Sequence, residues 1–388
     1  MYVIMNNHSF IRMMMGAAVA AGACMGSMGC APRSQHHNTA AASDEQLMLV
    51  GTYTHAGSEG IYSLRFNQST AEWQLLDSAK VSNPSFLAID SRRELIYSVS
   101  EDGGPKDALV LLSLDPSTGA MQQKGSWMTQ GAAPCYVSFS PHAAATANYS
   151  GGSLSLFPLN EEGIPGPLDT LFLGECYHSD PERQEAPHVH CAIFSPDQRY
   201  LFATDFSSDR LLRFATNDTT PLLSQPQVAA TIEAGSGPRH LTFAPDGHHA
   251  YLISELSGMV HCFTYQADKG ELTLQQVIET DSVHARGSAH ILLSPDGRFL
   301  YASNRLEHEG IAIFAVNPQD GTLTPAGYQL TGRHPRHFAL TPNGRYLLAA
   351  CRDSNSIEIY LRDDTTGTLT PTGKVIPLSK PVFVGWFE

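Results

Sequence analysis

The residues best suited to chemistry are a histidine, three arginines and a glutamate that recur about one structural repeat apart. His190, Arg239 and Arg336 each lie near the start of an apolar segment, and Glu255 and Arg305 each follow a later segment. A histidine or carboxylate can transfer a proton, and guanidinium groups can polarise a carbonyl or bind a carboxylate bidentately. Together they suit a site for an anionic or carbonyl-bearing small ligand.

Four further residues are candidate ligand-binding groups. His240 follows Arg239, Arg352 ends a segment as Glu255 does, and His188 precedes His190 by two positions. Asn148 begins the Gly-rich stretch Asn148–Gly152, which lets a ligand approach closely or simply forms a tight turn. A structural alternative for the charged set is mutual pairing at strand ends.

His188 and His190 also form a His-x-His pair. Alternate residues of a strand point to the same side, so such a pair can ligate a metal. No third ligand is assured by the sequence. We therefore predict no metal and a polar or acid–base role for these histidines.

The elements that must position these residues are short strands in a repeated unit. An apolar strand, a Ser-Pro-Asp-Gly-Arg-like turn and a second apolar strand recur, as in Cys191–Thr204, Leu241–Ser254 and Ile291–Ser303. Pro fixes φ and Gly supplies the positive φ that closes the hairpin, so the serines of these turns are not read as nucleophiles. A third and a fourth strand follow each hairpin, and each unit is predicted to be a four-stranded propeller blade.

The repeat closes into a ring. It starts at Pro84, Pro134, Val189, Pro238, Ser288, Pro335 and Pro381, in steps of 46 to 55 residues. Only the strand Val382–Phe387 fits after the last start, and Leu47–Thr52, Gly60–Phe66 and Trp73–Asp77 supply the other three. The sequence predicts an all-β, seven-bladed β-propeller over residues 47–388, with its last blade closed by N-terminal strands and no open sheet edge.

The ring predicts where the candidate residues meet. In a hairpin the start of the first strand and the end of the second lie at the same end, because the strands are antiparallel. The first strands of a propeller surround its central channel. His190, Arg239, Glu255 and Arg305, with Arg336 and Arg352, are therefore predicted to gather at one mouth of the channel.

The composition argues against binding of nucleic acid and against a zinc cluster. The chain has 388 residues, and its net charge of −14 argues against a nucleic-acid-binding protein, which neutralises phosphates with Lys and Arg. The five cysteines after the N-terminal segment are scattered and lack CxxC spacing, so no disulfide framework or zinc cluster is expected. A closed propeller needs no partner to cover its edges, so we expect a monomer.

The N-terminal segment has the organisation of an export signal. Met1–Arg12 carries one positive charge, and Met13–Met28 is uncharged and rich in small and apolar residues. A small residue before Cys24 and before Cys30 resembles the lipoprotein cleavage site, at which the cysteine becomes lipidated. We predict a lipoprotein-type signal peptide over residues 1–30 and a flexible tether over 31–46. Either cysteine would anchor an exported bacterial protein in the periplasm or outer membrane; the alternative is a cytoplasmic protein.

Taken together, these features resemble the β-propeller lactonases of the bacterial 6-phosphogluconolactonase type, whose fold the fungal carboxy-muconate lactonising enzymes share. The resemblance covers roughly residues 47–387. It is carried by Gly51-Thr-Tyr-Thr54, Asn148-Tyr-Ser-Gly-Gly152, Arg183-Gln184, Pro187-His-Val-His190, Gly237-Pro-Arg-His240, Ser254-Glu-Leu256, Ser303-Asn-Arg305 and Pro335-Arg-His337.

The resemblance implies an active site of His190, Arg239, Glu255 and Arg305, with Arg336 in the next blade. It implies hydrolysis of a sugar lactone by base-activated water, with no cofactor. Glu255 or His190 would be the base, and a carboxylate held between arginines would have a lowered pKa and be weaker as a base. Ser254 and the pair Cys351-Arg352 depart from the usual pattern and predict a different pocket.

Two other functions remain open. One is a non-catalytic exported propeller that binds a carbohydrate or a protein at the same mouth. The other is a muconate-type lactonising isomerase, which would use the same residues in the reverse sense on a dicarboxylic acid.

Overall fold

The structure is a computed structural model that describes residues 44–388. The predicted signal peptide, with Cys24 and Cys30, and residues 31–43 of the predicted tether lie outside the described residues. The first strand begins at Glu45, two residues before the predicted domain boundary.

Twenty-eight strands form the described chain. In chain order they are β1 (Glu45–Thr52), β2 (Gly60–Asn67), β3 (Trp73–Lys80), β4 (Leu87–Asp90), β5 (Leu95–Ser100), β6 (Ala108–Leu114), β7 (Met121–Met128), β8 (Pro134–Phe139), β9 (Ala143–Asn148), β10 (Ser153–Pro158), β11 (Thr170–Leu173), β12 (Val189–Phe194), β13 (Tyr200–Asp205), β14 (Arg210–Ala215), β15 (Gln227–Thr231), β16 (Pro238–Phe243), β17 (His249–Ser254), β18 (Met259–Gln266), β19 (Glu271–Glu279), β20 (Ser288–Leu293), β21 (Phe299–Asn304), β22 (Gly310–Val316), β23 (Leu323–Leu330), β24 (Pro335–Leu340), β25 (Tyr346–Cys351), β26 (Ser356–Arg362), β27 (Leu369–Pro377) and β28 (Pro381–Phe387).

The strands form seven four-stranded antiparallel sheets, which confirms the predicted all-β propeller. Blades 1 to 6 are β4–β7, β8–β11, β12–β15, β16–β19, β20–β23 and β24–β27, and blade 7 has the order β28-β1-β2-β3. In blade 7, Val50 pairs with Val384 and Leu47 with Phe387, so the last strand of the chain closes the ring on the first. A single 3-10 turn, Arg352–Ser354, follows β25. Over residues 44–388, no helix is long and apolar enough to span a membrane.

The apolar core lies between the blades. Seven clusters of buried side chains are present in the described chain, and each lies at the contact of two neighbouring sheets. Between blades 6 and 7, for example, Met48 and Val50 pack against Leu348 and Ala350. Each blade thus buries both faces, which suits the runs of Val, Ile, Leu and Ala in its inner strands.

The hairpin turns have the predicted chemistry. Gly247, Gly297 and Gly344 have φ of 70°, 68° and 70°, in the left-handed region that favours glycine. The serine hydroxyl of each turn bonds locally; Ser195 Oγ, for instance, donates to Asp197 Oδ1 over 2.6 Å. These serines therefore hold turns at the hairpin end of the blades.

Candidate active site

A β-bulge at the start of most inner strands aims side chains into the channel mouth. The pairing register shifts between Pro134 and Tyr136, and equivalent shifts occur in blades 3, 4 and 6. The residues at these bulges are Cys135, His190, Arg239 and Arg336. Two residues of a bulged strand oppose one on the partner, which bends the strand and redirects its side chains. Consecutive residues such as Arg239 and His240 can therefore both face the channel.

The residue that follows the second strand of each blade lines the same end. These residues are Glu101, Tyr149, Phe206, Glu255, Arg305, Arg352 and, in blade 7, Tyr53. Backbone bonds fix them there: the amide of Glu255 donates to the carbonyl of Gly237 over 2.8 Å, and that of Glu101 to Asn83 over 3.2 Å. The mouth is thus built from two residue columns at fixed places in the repeat.

Three arginines surround one buried carboxylate at this mouth. Arg183 Nη2 donates to Glu255 Oε1 over 2.7 Å, Arg239 Nε donates to Oε2 over 2.9 Å, and Arg305 Nη2 lies 3.1 Å from Oε2. Although burial opposes ionisation, the charges of Arg305 and Arg239 hold the pKa of Glu255 well below its usual range. Glu255 is therefore ionised at neutral pH, with both carboxylate oxygens bound by guanidinium groups.

Arg239 is the most constrained of these cations. It is 1% exposed, and its Nη1 donates to the carbonyl of Ala289 over 2.6 Å and lies 3.0 Å from Nε2 of His240. Burial and the nearby Arg305 and Arg336 lower the pKa of Arg239 to about 9, which leaves it charged at neutral pH. The floor of the mouth therefore presents a fixed positive charge.

His190 lies beside this group and is 4% exposed. Its Nδ1 is 3.7 Å from Cys135 Sγ, its ring meets Tyr149 edge-on at 5.4 Å, and its Nε2 has no hydrogen-bond partner among the described residues. Burial and the charge of Arg239 hold the pKa of His190 well below its ordinary value. A neutral imidazole with one unengaged nitrogen can accept a proton.

Arg336 lies in a second group at the mouth. Its guanidinium is 5.7 Å from the ring centroid of Tyr53, and Tyr53 Oη donates to Glu101 Oε2 over 3.2 Å. Burial raises the pKa of Glu101, opposed by the charge of Arg336. The mouth therefore holds two carboxylates in contrasting surroundings.

His240 belongs to a ring of side chains in the channel next to these groups. The ring comprises Phe86, Tyr136, His240, His290, His337 and Phe383. Nδ1 of His240 is 3.0 Å from Nδ1 of His290, and the rings of His290 and His337 stack at 3.8 Å. Because Arg239 is always a donor, His240 Nε2 accepts, and the proton of neutral His240 lies on Nδ1. His240 thus contacts Arg239 and supports it in the channel.

The other predicted binding residues lie at the edge of the mouth or outside it. His188 stacks on Tyr149 at 4.2 Å and bonds its carbonyl through Nδ1, and Arg352 pairs with Asp353 at 2.9 Å and bonds His334. Asn148 is fully buried and donates to Ser153 and Ser155 within its own blade. The structure brings His188 and Arg352 near the cluster and does not place Asn148 in it.

Arg183 belongs to one of the sequence motifs, but the sequence alone does not identify it as a site residue. It lies in the long loop between β11 and β12, where Gln184 anchors the chain by donating to the carbonyl of Phe206 over 2.6 Å. The step from Pro134 to Val189 is 55 residues, the longest in the repeat. This extra length is the sequence feature that indicates the loop in which Arg183 lies. The sequence alone also does not identify Tyr53 and Glu101 as site residues, because their contact joins two different blades.

Other concave surfaces lack this combination of groups. A groove of about 370 Å³ at the hairpin end is lined by residues such as Phe243, Leu293 and Trp386, with one carboxylate, that of Glu388. In residues 44–388, no group of three or more His, Cys, Asp or Glu is arranged to hold a metal ion.

Comparison with known proteins gives a consistent result. Residues 47–386 match the family model described as lactonase, 7-bladed beta-propeller. A Bacillus subtilis protein named 6-phosphogluconolactonase is 33% identical over 86% of this chain and 96% of its own length.

Solved structures agree over most of their length. A Bacteroides uniformis protein, provisionally assigned as a 6-phosphogluconolactonase, is 52% identical with a TM-score of 0.86 and covers 88% of this chain and 99% of its own. A periplasmic gluconolactonase of Pseudomonas aeruginosa is 30% identical with a TM-score of 0.82 and covers the same shares of the two chains.

Proposed function

Because the chain belongs to the seven-bladed β-propeller lactonase family, we propose that it hydrolyses a sugar lactone to the sugar acid at the channel mouth. The observation that carries this proposal is the cluster of Glu255, three arginines and His190. It combines a neutral proton acceptor with fixed cations, which is what attack of water on an ester carbonyl requires.

His190 is the general base in this reaction. Its unengaged Nε2 takes a proton from water while the hydroxide adds to the lactone carbonyl carbon. Glu255 is a weaker candidate, because both of its oxygens already accept from guanidinium groups.

The arginines stabilise the negative charge that forms on the carbonyl oxygen. Arg239 and Arg305 are buried, so their charges act in a site from which water is largely excluded. The mouth has more arginines than carboxylates: its two carboxylates are Glu255 and Glu101, and its four arginines are Arg183, Arg239, Arg305 and Arg336. This excess also suits a phosphate or carboxylate on the substrate. Collapse of the tetrahedral intermediate breaks the ring C–O bond and yields a hydroxy acid.

We further propose that the enzyme is exported to the periplasm or outer membrane as a monomer, tethered by a lipid on Cys30 or Cys24. The supporting observations are the N-terminal sequence pattern and the similarity to a periplasmic gluconolactonase. Labelling of intact cells with a lipid precursor, compared between Cys30→Ala and Cys24→Ala, tests the anchor.

The activity is tested with the purified full-length protein on phosphorylated and unphosphorylated sugar lactones and a uronic lactone. Acid release is followed with a pH indicator, and spontaneous opening is subtracted. We expect wild-type turnover on at least one lactone. His190→Asn should lower kcat by about 10²- to 10⁴-fold.

The matched control is His142→Asn, an exposed histidine at the hairpin end, which should leave kcat unchanged. Absence of turnover by a folded wild type would overturn the proposal and favour a propeller that binds a carbohydrate or protein. Turnover restricted to a muconate-type dicarboxylic acid would favour the isomerase.

A further inference from the structure

We propose that Glu101 is the general acid that protonates the departing ring oxygen of the lactone. This role rests on the proposed lactonase activity and assigns opposite duties to the two carboxylates of the mouth. Water attack alone is not sufficient, because the ring oxygen leaves as an alkoxide unless a proton reaches it.

Glu101 and Glu255 occupy the same place in their blades. Glu101 follows β5 of blade 1 and Glu255 follows β17 of blade 4, and the amide of each bonds a carbonyl before the neighbouring inner strand. The fold therefore directs two carboxylates into the mouth from blades three positions apart in the ring. A substrate between them would meet one from each side.

Their partners differ. Glu255 accepts from three guanidinium groups, whereas no Lys, Arg or His of the described chain lies within ion-pairing distance of Glu101. Its contact is the hydroxyl of Tyr53, and Arg336 lies against the Tyr53 ring. Nearby Ser85 Oγ is buried and makes no hydrogen bond of ordinary geometry in the described chain, but its hydroxyl is close enough to Glu101 to lower the pKa of that carboxyl. This side of the mouth therefore has polar capacity left for a ligand.

Glu101 is also near the groups that act on the carbonyl. Its charge is felt by Cys135, whose Sγ lies 3.7 Å from Nδ1 of His190, and it is influenced by Arg239. Glu101 thus belongs to the same mouth as His190 and Arg239, and its charge reaches Cys135, which lies beside His190. A proton donor to the ring oxygen must share the mouth with the groups that act on the carbonyl.

The electrostatic balance supports the acid form. The groups that influence Glu101 are Arg336, Ser85, Tyr53 and Arg239, and Glu101 in turn influences Cys135. Burial raises the pKa of Glu101, and this effect exceeds the opposing effects of the arginines and of the Ser85 and Tyr53 hydroxyl groups. Two carboxylates whose surroundings move their pKa values apart are suited to different roles in one reaction.

His190 takes one proton from water, the hydroxide oxygen bonds to the carbonyl carbon, and the ring C–O bond breaks as Glu101 gives its proton to the ring oxygen. The product is a carboxylic acid with a new hydroxyl group. The acid then ionises to the carboxylate. His190 releases its proton to solvent and Glu101 takes one up from solvent, which restores both groups to their starting states.

The test compares Glu101→Gln with wild type in the lactone assay across pH. An amide cannot supply the proton, so kcat should fall by about 10²- to 10⁴-fold while KM changes little. Wild-type kcat should fall as pH rises through the pKa of Glu101, above the usual glutamate range, and this basic limb should be missing in Glu101→Gln. The matched control is Glu162→Gln, an exposed glutamate, with an unchanged profile.

Tyr53→Phe gives a second readout that does not depend on the folding of Glu101→Gln. The Tyr53 hydroxyl stabilises the ionised carboxylate, so its removal should raise the pKa of Glu101 and move the basic limb to higher pH. A purely structural role would not move the limb.

The outcomes separate the two proposals. An active wild type with Glu101→Gln within about threefold in kcat, or with an unmoved limb in Tyr53→Phe, overturns the role of Glu101 alone. An inactive wild type overturns the proposed lactonase and this role with it.

Discussion

At the scale of single residues, the ion pairs of Glu255 limit what its carboxylate can do. A carboxylate held between arginines was expected to be weak as a base, and Glu255 lies within 3.1 Å of three guanidinium groups. Asn148 shows a limit of prediction from sequence, because a Gly-rich motif does not reveal that the Asn148 amide is hydrogen-bonded inside its own blade. A polar residue's partners are decided by chain segments distant in sequence.

Glu255→Gln tests whether the Glu255 carboxylate stabilises the folded protein by pairing with the buried arginines. The change leaves the guanidinium groups of Arg239 and Arg305 buried without a charge partner, so the free energy of unfolding should fall by about 3–5 kcal/mol. Urea denaturation measures this loss. His190→Asn should lower the free energy of unfolding less than Glu255→Gln does, although it lowers kcat.

The control for this prediction is Glu72→Gln. Glu72 forms an exposed ion pair with Lys374, and such pairs contribute only about 0–1 kcal/mol. Equal losses in Glu255→Gln and Glu72→Gln would contradict an organising role for Glu255.

At the scale of elements, β-bulges explain why two neighbouring residue columns share the channel. A regular strand would send Arg239 and His240 to opposite faces, yet their side chains lie 3.0 Å apart. The repeat located both columns because its turns recur at fixed spacing. The bulges themselves come from the pairing of each inner strand with its neighbour and have no sequence signal of their own here.

Gly51, in β1 before Tyr53, shows how closely the closing blade packs. A Cβ there would lie 2.2 Å from the carbonyl oxygen of Pro84 and 3.3 Å from Cβ of Phe383. Gly51→Ala should therefore lower the free energy of unfolding by about 1–3 kcal/mol, measured by urea denaturation. The control is Gly104→Ala, where a Cβ meets nothing within 4 Å. Unchanged stability in Gly51→Ala would contradict the close approach of blades 7 and 1.

At the scale of the whole molecule, the ring buries neutral histidines on several blades. Burial lowers the pKa of His290 to about 3 and of His261 to about 4, and holds those of His240 and His337 well below the ordinary value. The burial arises from channel and blade contacts that form only when the ring is closed.

These histidines should make the fold sensitive to acid. The unfolded chain takes up their protons near pH 6.5 and the folded chain does not, so stability is complete above that pH and falls below it. Each histidine adds a slope of at most about 1.4 kcal/mol per pH unit. Two carboxyl groups have the opposite effect on stability, because the pKa of Asp205 is raised to about 6 and that of Glu101 is also raised. They are outnumbered by the four histidines.

Urea denaturation at pH 5, 6, 7 and 8 and constant ionic strength measures this dependence. His261→Gln, a change distant from the mouth, should remove the share of one histidine and make the slope shallower. Stability that stays level from pH 7 to pH 5 would contradict the prediction.

The sequence by itself determined the seven-bladed ring, its closure by the first strand and the columns that supply the mouth. This was possible because strand alternation, turn chemistry and repeat length are local properties of the chain. The tertiary structure alone decided the pairing of Arg183 with Glu255, the Tyr53–Glu101 contact and the neutral state of the channel histidines. Those features depend on distances between side chains of different blades and on burial, and both arise only when the ring closes.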